Sequence, residues 1–153
     1  MEIERKFLVR GQPWRGAESQ LPIRQGYLAT GGTATVRVRV GPEMAWLTVK
    51  GPTRGISREE YEFTIPRADG EAMLKLCGEL VVEKVRHHLQ VGEHWWEIDV
   101  FAGANAGLVT AEIELDHEEE EFVRPSWLGE EISFDKRYSN SSLAKRPYST
   151  WED

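Results

Sequence analysis

The chain has 153 residues, 40% hydrophobic and 29% charged, enough for the core of one domain and too evenly mixed for a disordered, collagen-like or low-complexity chain. No apolar run approaches the roughly 20 residues of a membrane helix, Glu2 and Glu4 stand where a secretory leader would be basic, and the single Cys77 has no partner for a disulfide or a zinc site, so a soluble cytoplasmic domain with no membrane partner is expected. A net charge of -7 argues against nucleic-acid binding, which needs a surplus of Lys and Arg on one accessible face.

In chain order, alternation, β-branched residues and turn punctuation predict strands near 2-10, 23-30, 33-41, 44-51 and 57-65. Met73, Leu76, Cys77 and Leu80 then recur at helical spacing behind Asp69, a candidate N-cap, which predicts a short amphipathic helix with Cys77 as a core thiol. Three more strands follow near 81-91, 94-102 and 108-116. Gly31-Gly32, Gly41-Pro42 and Gly92-Glu93 suit tight antiparallel hairpins. Glu118 to Glu121 reads as the solvated face of a second helix, and residues 130-146 as a packed, partly helical tail. Nothing divides the chain, so residues 1-153 are read as one domain. About eight evenly spaced strands favour a mainly β fold, a closed eight-stranded antiparallel barrel with a few flanking helices.

Side chains two apart on a strand share a face, and on that rule the charges fall in like-signed pairs. Glu2 and Glu4 lie with Lys6, Arg37 with Arg39, Glu60 with Glu62, Lys84 with Arg86, Glu97 with Asp99, and Glu112 with Glu114. The opposite faces carry Ile3 and Phe7, Val36 and Val38, Tyr61 and Phe63, Ile98 and Val100, Ile113 and Leu115. Two readings are open. The charged faces are the solvent side of half-buried strands, or they line a lumen while the apolar faces turn outward under helices or a homodimer partner. Like charges about 7 Å apart repel by roughly 2 kcal/mol at an effective dielectric near 20, and repeating that across six strands favours the lumen. Carboxylates would then hold metal cations, and guanidinium and ammonium groups would hold a polyanion.

Glu2-Ile3-Glu4-Arg5-Lys6 fits the E-x-E-x-K pattern of the CYTH superfamily, the triphosphate tunnel metalloenzymes. Its companions follow in order: Arg24-Gln25-Gly26-Tyr27-Leu28, Val36-Arg37-Val38-Arg39, Leu47-Thr48-Val49-Lys50, Glu60-Tyr61-Glu62, Glu83-Lys84-Val85-Arg86, Glu97-Ile98-Asp99-Val100-Phe101, Glu112-Ile113-Glu114 and Asp135-Lys136-Arg137-Tyr138. The chain resembles the short bacterial inorganic triphosphatases of that group over nearly its whole length. The resemblance implies an eight-stranded tunnel, Mg²⁺ or Mn²⁺ dependence, and hydrolysis of a terminal phosphoryl group.

On that basis Glu2, Glu4, Glu112 and Glu114 are expected metal ligands with Asp99 and Glu62 as helpers, hard oxygen donors that suit Mg²⁺ or Mn²⁺. Arg37, Arg39, Lys50, Lys84, Arg86 and Lys136 are expected to bind the phosphate chain. Lys6 and Tyr27 are expected to act together near the scissile bond, with Glu4 also counted as catalytic; the alternative for Tyr27 is a barrel-filling aromatic. Trp46 either lines one mouth of the lumen or packs in the core. His87 and His88 fall on opposite faces and share no metal, and His94 is expected to be exposed.

The leading expectation is a metal-dependent hydrolase cleaving inorganic tripolyphosphate to pyrophosphate and phosphate. Alternatives are an organic triphosphatase acting on thiamine triphosphate or a nucleoside triphosphate, a class IV adenylyl cyclase, and a non-catalytic polyphosphate-binding module. The cyclases usually carry residues upstream of E-x-E-x-K where only Met1 stands here, and a binding module would lack the full carboxylate set.

Overall fold

The computed structural model describes residues 1-17, 19-30 and 32-151. Its elements are β1 (Glu2–Val9), β2 (Ser19–Ala29), β3 (Thr35–Val40), β4 (Ala45–Lys50), β5 (Ser57–Arg58), β6 (Glu60–Ile65), α1 (Arg67–Leu76), β7 (Val81–Val91), β8 (His94–Phe101), β9 (Val109–Glu114), β10 (Leu128–Glu131) and α2 (Asn140–Lys145). All eight expected strands form, with β2 beginning earlier than its pattern suggested. Every pairing is antiparallel, in the order β10-β1-β9-β8-β7-β2-β3-β4-β6.

The ladder curls until its ends nearly meet. One edge of β1 pairs along β9; its other edge is shared by β5 at the start (Glu2 opposite Arg58, Ile3 opposite Ser57) and β10 at the end (Phe7 opposite Glu131). Because β5 leads directly into β6, its two pairs bring the β6 end of the ladder back to β1. The result is a nearly closed barrel. No helix among the described residues is long and apolar enough to cross a membrane.

The apolar faces turn outward and are covered in two places. Phe7, Trp96, Ile98, Ala111 and Ile113 form one core, over which Trp14, Phe122 and Trp127 lie; Phe122 and Trp127 meet Trp96 edge-to-face, centroids 5.7 and 5.4 Å away. Val38, Val40 and Ala45 are covered by Leu74 of α1 and Cys77 at its C-terminal end. Gly26 permits that approach, since a Cβ there would stand 2.6 Å from the Cys77 Sγ. A third core lies on the inward faces at one end of the barrel, where Tyr27, Val82, Phe101 and Leu108 are packed by Leu143 and Ala144 of α2. On β6 the outward Tyr61 and Phe63 stay 55% and 57% exposed.

Three local expectations are corrected. Asp69 does not cap α1; the helix follows Pro66, Asp69 lies in its first turn, and Leu76 is exposed, because the stripe that packs is Gly70, Leu74 and Cys77. The acidic run forms no helix. Residues 116-127 cross the barrel with only a turn at His117 to Glu120, which lets Phe122 and Trp127 reach Trp96. Within that run Glu120 pairs with a half-buried His94, and Glu118 accepts from Ser57. β10 was not expected, since Leu-Gly-Glu-Glu carries no alternation; Gly129 fits there because a Cβ would lie 2.8 Å from the Leu8 carbonyl oxygen. Gly31, part of one expected hairpin, lies outside the described residues; Gly92-Glu93 forms the tight turn expected between β7 and β8.

Candidate active site

The charged faces enclose a cavity of about 800 Å³ lined by eight basic and eight acidic side chains. Going round the barrel from β1, the strands run β9, β8, β7, β2, β3, β4 and back through β6, so the β1–β9 wall stands across from the β2–β3 wall. Carboxylates dominate the first wall. Glu4 lies opposite Glu114 in the β1–β9 register, and Glu97 opposite Glu112 between β8 and β9. Directly opposed residues hold their Cβ atoms about 5 Å apart, so acids crowd this wall, with Glu112 and Glu2 acting on Glu4 and Glu97 acting on Glu114. Arg37, Arg39 and Tyr27 stand on the facing wall, with Lys84 and Arg86 on β7 between.

Of the expected site residues, Glu2, Glu4, Lys6, Tyr27, Arg37, Arg39, Lys50, Glu62, Lys84, Arg86, Glu112, Glu114 and Lys136 all line this cavity. Asp99 does not. It is 1% exposed, and both oxygens are engaged: Arg86 donates from Nε and NH2 at 2.8 and 3.0 Å, and Lys84 approaches to 2.8 Å. These cations hold its carboxyl far below the usual range against the effect of burial. Trp46 is absent from the lining; its ring lies over Gly41, 3.4 Å from where a Cβ would stand. Lys6 and Tyr27 share the cavity without bonding each other. Lys6 sits 3.3 Å from Glu112 and donates to the Tyr138 carbonyl, whereas the Tyr27 hydroxyl accepts from Gln25 at 3.0 Å.

Cavity residues beyond the expected set include Glu60 and Glu97, whose inward direction alternation had already indicated. Gln25, buried behind the lining, was named only within the Arg24 to Leu28 motif. Ser139 to Ser142 come from the tail, and no local pattern announced that α2 would reach the lumen.

Electrostatics divide the acids into two groups. Burial, with Glu112 and Glu2 nearby, holds the Glu4 carboxyl up at about 8. Burial and a hydrogen bond with Glu60 hold Glu2 at about 7. Glu112 goes the other way: Lys6 and Arg86 outweigh burial and bring it to about 2. Among the bases, burial is the main reason Lys84 falls to about 7 even beside Asp99, and Arg39 falls to about 9 with Arg37 and Arg86 adding to burial. Arg37 is 8% exposed and its Nε has no partner. Such an arrangement has unmet demand for both charges: a cation for the crowded carboxylates, an anion for the guanidinium groups.

The donor set fits a divalent ion of the Mg²⁺ or Mn²⁺ kind, since only carboxylate oxygens converge and no His or Cys joins them. Among the described residues no three acids already lie within joint ligating reach. Several are held by lysines instead: Lys50 bridges Glu2 and Glu60 at 3.1 and 3.2 Å, and Lys6 holds Glu112. Filling the site therefore means exchanging lysine contacts for metal contacts.

The chain is similar to known proteins over nearly its whole length. The chain is 44% identical over 153 residues to an inorganic triphosphatase of Acetivibrio thermocellus, covering 99% of this chain and 98% of that one. It is 38% identical over 147 residues to an inorganic triphosphatase of Nitrosomonas europaea, covering 94% and 96%. A solved crystal structure of an inorganic triphosphatase superposes with a TM-score of 0.70 at 36% identity, covering 94% of each chain. Residues 1–148 match the CYTH domain, and the chain belongs to the CYTH family.

Proposed function

We propose that this protein hydrolyses inorganic tripolyphosphate to pyrophosphate and phosphate inside the barrel, with Mg²⁺ or Mn²⁺ as cofactor. The observation that carries the reading is the single cavity in which a carboxylate wall faces a guanidinium wall. A triphosphate chain presents oxygens along its whole length, and Arg37, Arg39, Lys50, Lys84, Arg86 and Lys136 supply donors from several directions. Arg37 is held through one NH2 by Thr48 at 3.2 Å, which leaves its buried Nε–H for a phosphate oxygen. Glu2, Glu4, Glu112 and Glu114 would hold the metal, with Glu62 at the rim; Asp99 instead orients Lys84 and Arg86. When bound, the metal neutralises phosphate charge and activates water.

The chain's own residues position and protonate. The cations fix the phosphate chain so that its terminal phosphorus faces a water on the carboxylate side, an in-line arrangement in which charge stabilisation does most of the work. Lys6, buried between Glu112 and the Tyr138 carbonyl, stays charged because Glu112 and Glu4 outweigh burial, and it places a positive group beside the leaving oxygen. Tyr27 gives that oxygen a proton.

Phosphate release from tripolyphosphate, ATP, thiamine triphosphate and pyrophosphate, measured side by side with Mg²⁺, Mn²⁺ and no metal, tests the proposal. Tripolyphosphate should be the best substrate and activity should require metal. Preference for ATP or thiamine triphosphate would overturn the assignment in favour of an organic triphosphatase. Lys6→Ala and Tyr27→Phe should each lower kcat more than they raise KM, and together lose less than the product of the single losses.

A further inference from the structure

The Tyr27 hydroxyl does not float in the lumen; a buried amide sets its direction. Gln25, two residues earlier on β2 and 0% exposed, makes three hydrogen bonds. Its Oε1 accepts from Arg39 Nε at 3.0 Å, and its Nε2 donates to the Tyr27 hydroxyl at 3.0 Å and to Asn140 Oδ1 at 3.1 Å. Asn140, at the start of α2, also accepts from Lys84 Nζ at 2.8 Å with the same oxygen.

An amide side chain has an oxygen that accepts and a nitrogen that donates, and exchanging them is costly when a cation fixes one end. Arg39 has only donors, so the Gln25 oxygen must face it and the Gln25 nitrogen must face Tyr27. Lys84 donates to Asp99 and to Asn140 alike, so the Asn140 oxygen faces both Lys84 and the second Gln25 N–H. Arg39 and Lys84 thus dictate one polarity through two amides. The Tyr27 oxygen can only accept from Gln25, and its own proton is left to point elsewhere, toward the cavity that Tyr27 lines.

We propose that Gln25 and Asn140 are positioning residues that hold Tyr27 as a proton donor to the departing pyrophosphate. The proposal rests on the reading above in which Tyr27 protonates the leaving group. As water oxygen bonds to the terminal phosphorus and the bridging P–O bond breaks, the Tyr27 proton passes to the leaving oxygen. The Gln25 N–H then faces a phenolate, where a hydrogen bond is stronger than to a phenol. The proton lost by the attacking water returns the phenolate to phenol, so one water is consumed and Tyr27 is restored. α2 is in this view part of the site, since Asn140 is what aims the amide.

The test uses the full chain with Mg²⁺ and tripolyphosphate. Gln25→Met fills similar space without the donor, and Gln25→Glu puts an acceptor where the donor was, which captures the Tyr27 proton. Both should lower kcat by about tenfold or more with KM within about threefold, the glutamate further than the methionine. In a Tyr27→Phe background neither should lower kcat further by more than about twofold. Asn140→Leu should also lower kcat, and Asn140→Asp, which keeps an acceptor for Lys84 and Gln25, should recover most of that loss. Wild-type kcat in Gln25→Met, with Tyr27→Phe impaired, overturns this inference and leaves the reading of Tyr27 standing. Equal losses in Asn140→Leu and Asn140→Asp at matched thermal stability overturn the role of α2. Wild-type kcat in Tyr27→Phe itself overturns the underlying reading and this one with it.

Discussion

Asp99 holds two buried cations at once, and that decides what its loss costs. Removing one member of a buried ion pair strands the others in a poor solvent for charge, with a penalty of about 3–5 kcal/mol. Asp99→Asn should therefore lower stability by about that much in urea unfolding and also impair turnover by freeing Lys84 and Arg86. Glu4→Gln and Glu114→Gln should behave oppositely: Glu112 and Glu2 crowd Glu4, and Glu97 and Glu60 crowd Glu114, so each change removes an acid from like-charged neighbours and the fold is kept or gains stability while turnover is abolished. Thermal melts with and without Mg²⁺ separate the cases, since loss of a ligand lessens metal-induced stabilisation. The raised Glu2 and Glu4 carboxyls add a pH dependence. An acid whose pKa rises on folding stabilises the fold fully below its unfolded value, near 4.5, and loses that contribution as pH climbs through about 7 and about 8. Metal-free protein should lose thermal stability from about pH 5 to about pH 8. The depressed Asp99 and Glu112 work at the other end, their contribution being present above about pH 4 and lost as pH falls. In the proposed site metal binds the deprotonated carboxylates, so Mg²⁺ should stabilise more at about pH 8 than at about pH 6, with proton release on binding.

Between elements, α1 fits tightly against β2. A Cβ on Gly26 would meet the Cys77 Sγ at 2.6 Å, the Cys77 Cβ at 2.8 Å and a Leu74 methyl at 3.1 Å, all atoms anchored by a helix on a sheet. Gly26→Ala should cost about 1–3 kcal/mol, the usual range for forcing volume into a packed site. Adding Cys77→Ala should recover only part of it, because the Cys77 Cβ remains in the way. Equal stability of wild type and Gly26→Ala in urea would mean that α1 can shift outward without loss. The apolar spacing around Met73 to Leu80 made α1 legible. Its phase was not, since which of those side chains packs depends on the register of β3 and β4 beneath it.

At the scale of the whole molecule, the barrel sorts substrates by what its lumen offers. Arg37 and Arg39 face the cavity among other charges and can contact only what every triphosphate shares, so replacing either with Ala should damage tripolyphosphate and ATP hydrolysis alike. Trp46 lies outside the lining, and Trp46→Ala should leave kcat/KM for tripolyphosphate within about threefold, less than 1 kcal/mol on the transition-state scale. A selective loss of ATP hydrolysis in that mutant would show that the ring reaches the substrate after all.

What the sequence determined by itself was the strand set, β10 excepted, and the direction of each charge, because a strand's period of two is local and Arg37 cannot share a face with Val38. The like-signed pairing was enough to favour an inward charged face. Which of those charges meet was decided by tertiary structure alone. Glu97 and Asp99 are the same kind of residue on the same face of β8, yet Glu97 reaches the cavity, while Asp99 lies opposite Arg86 in the β7–β8 register and also receives Lys84. Asn140 is further still from local legibility: 115 residues separate it from Gln25, and only the return of the tail across the barrel brings the two amides within 3.1 Å. Pattern reports the face a side chain occupies; its partner is set by register and closure, which depend on the whole chain at once.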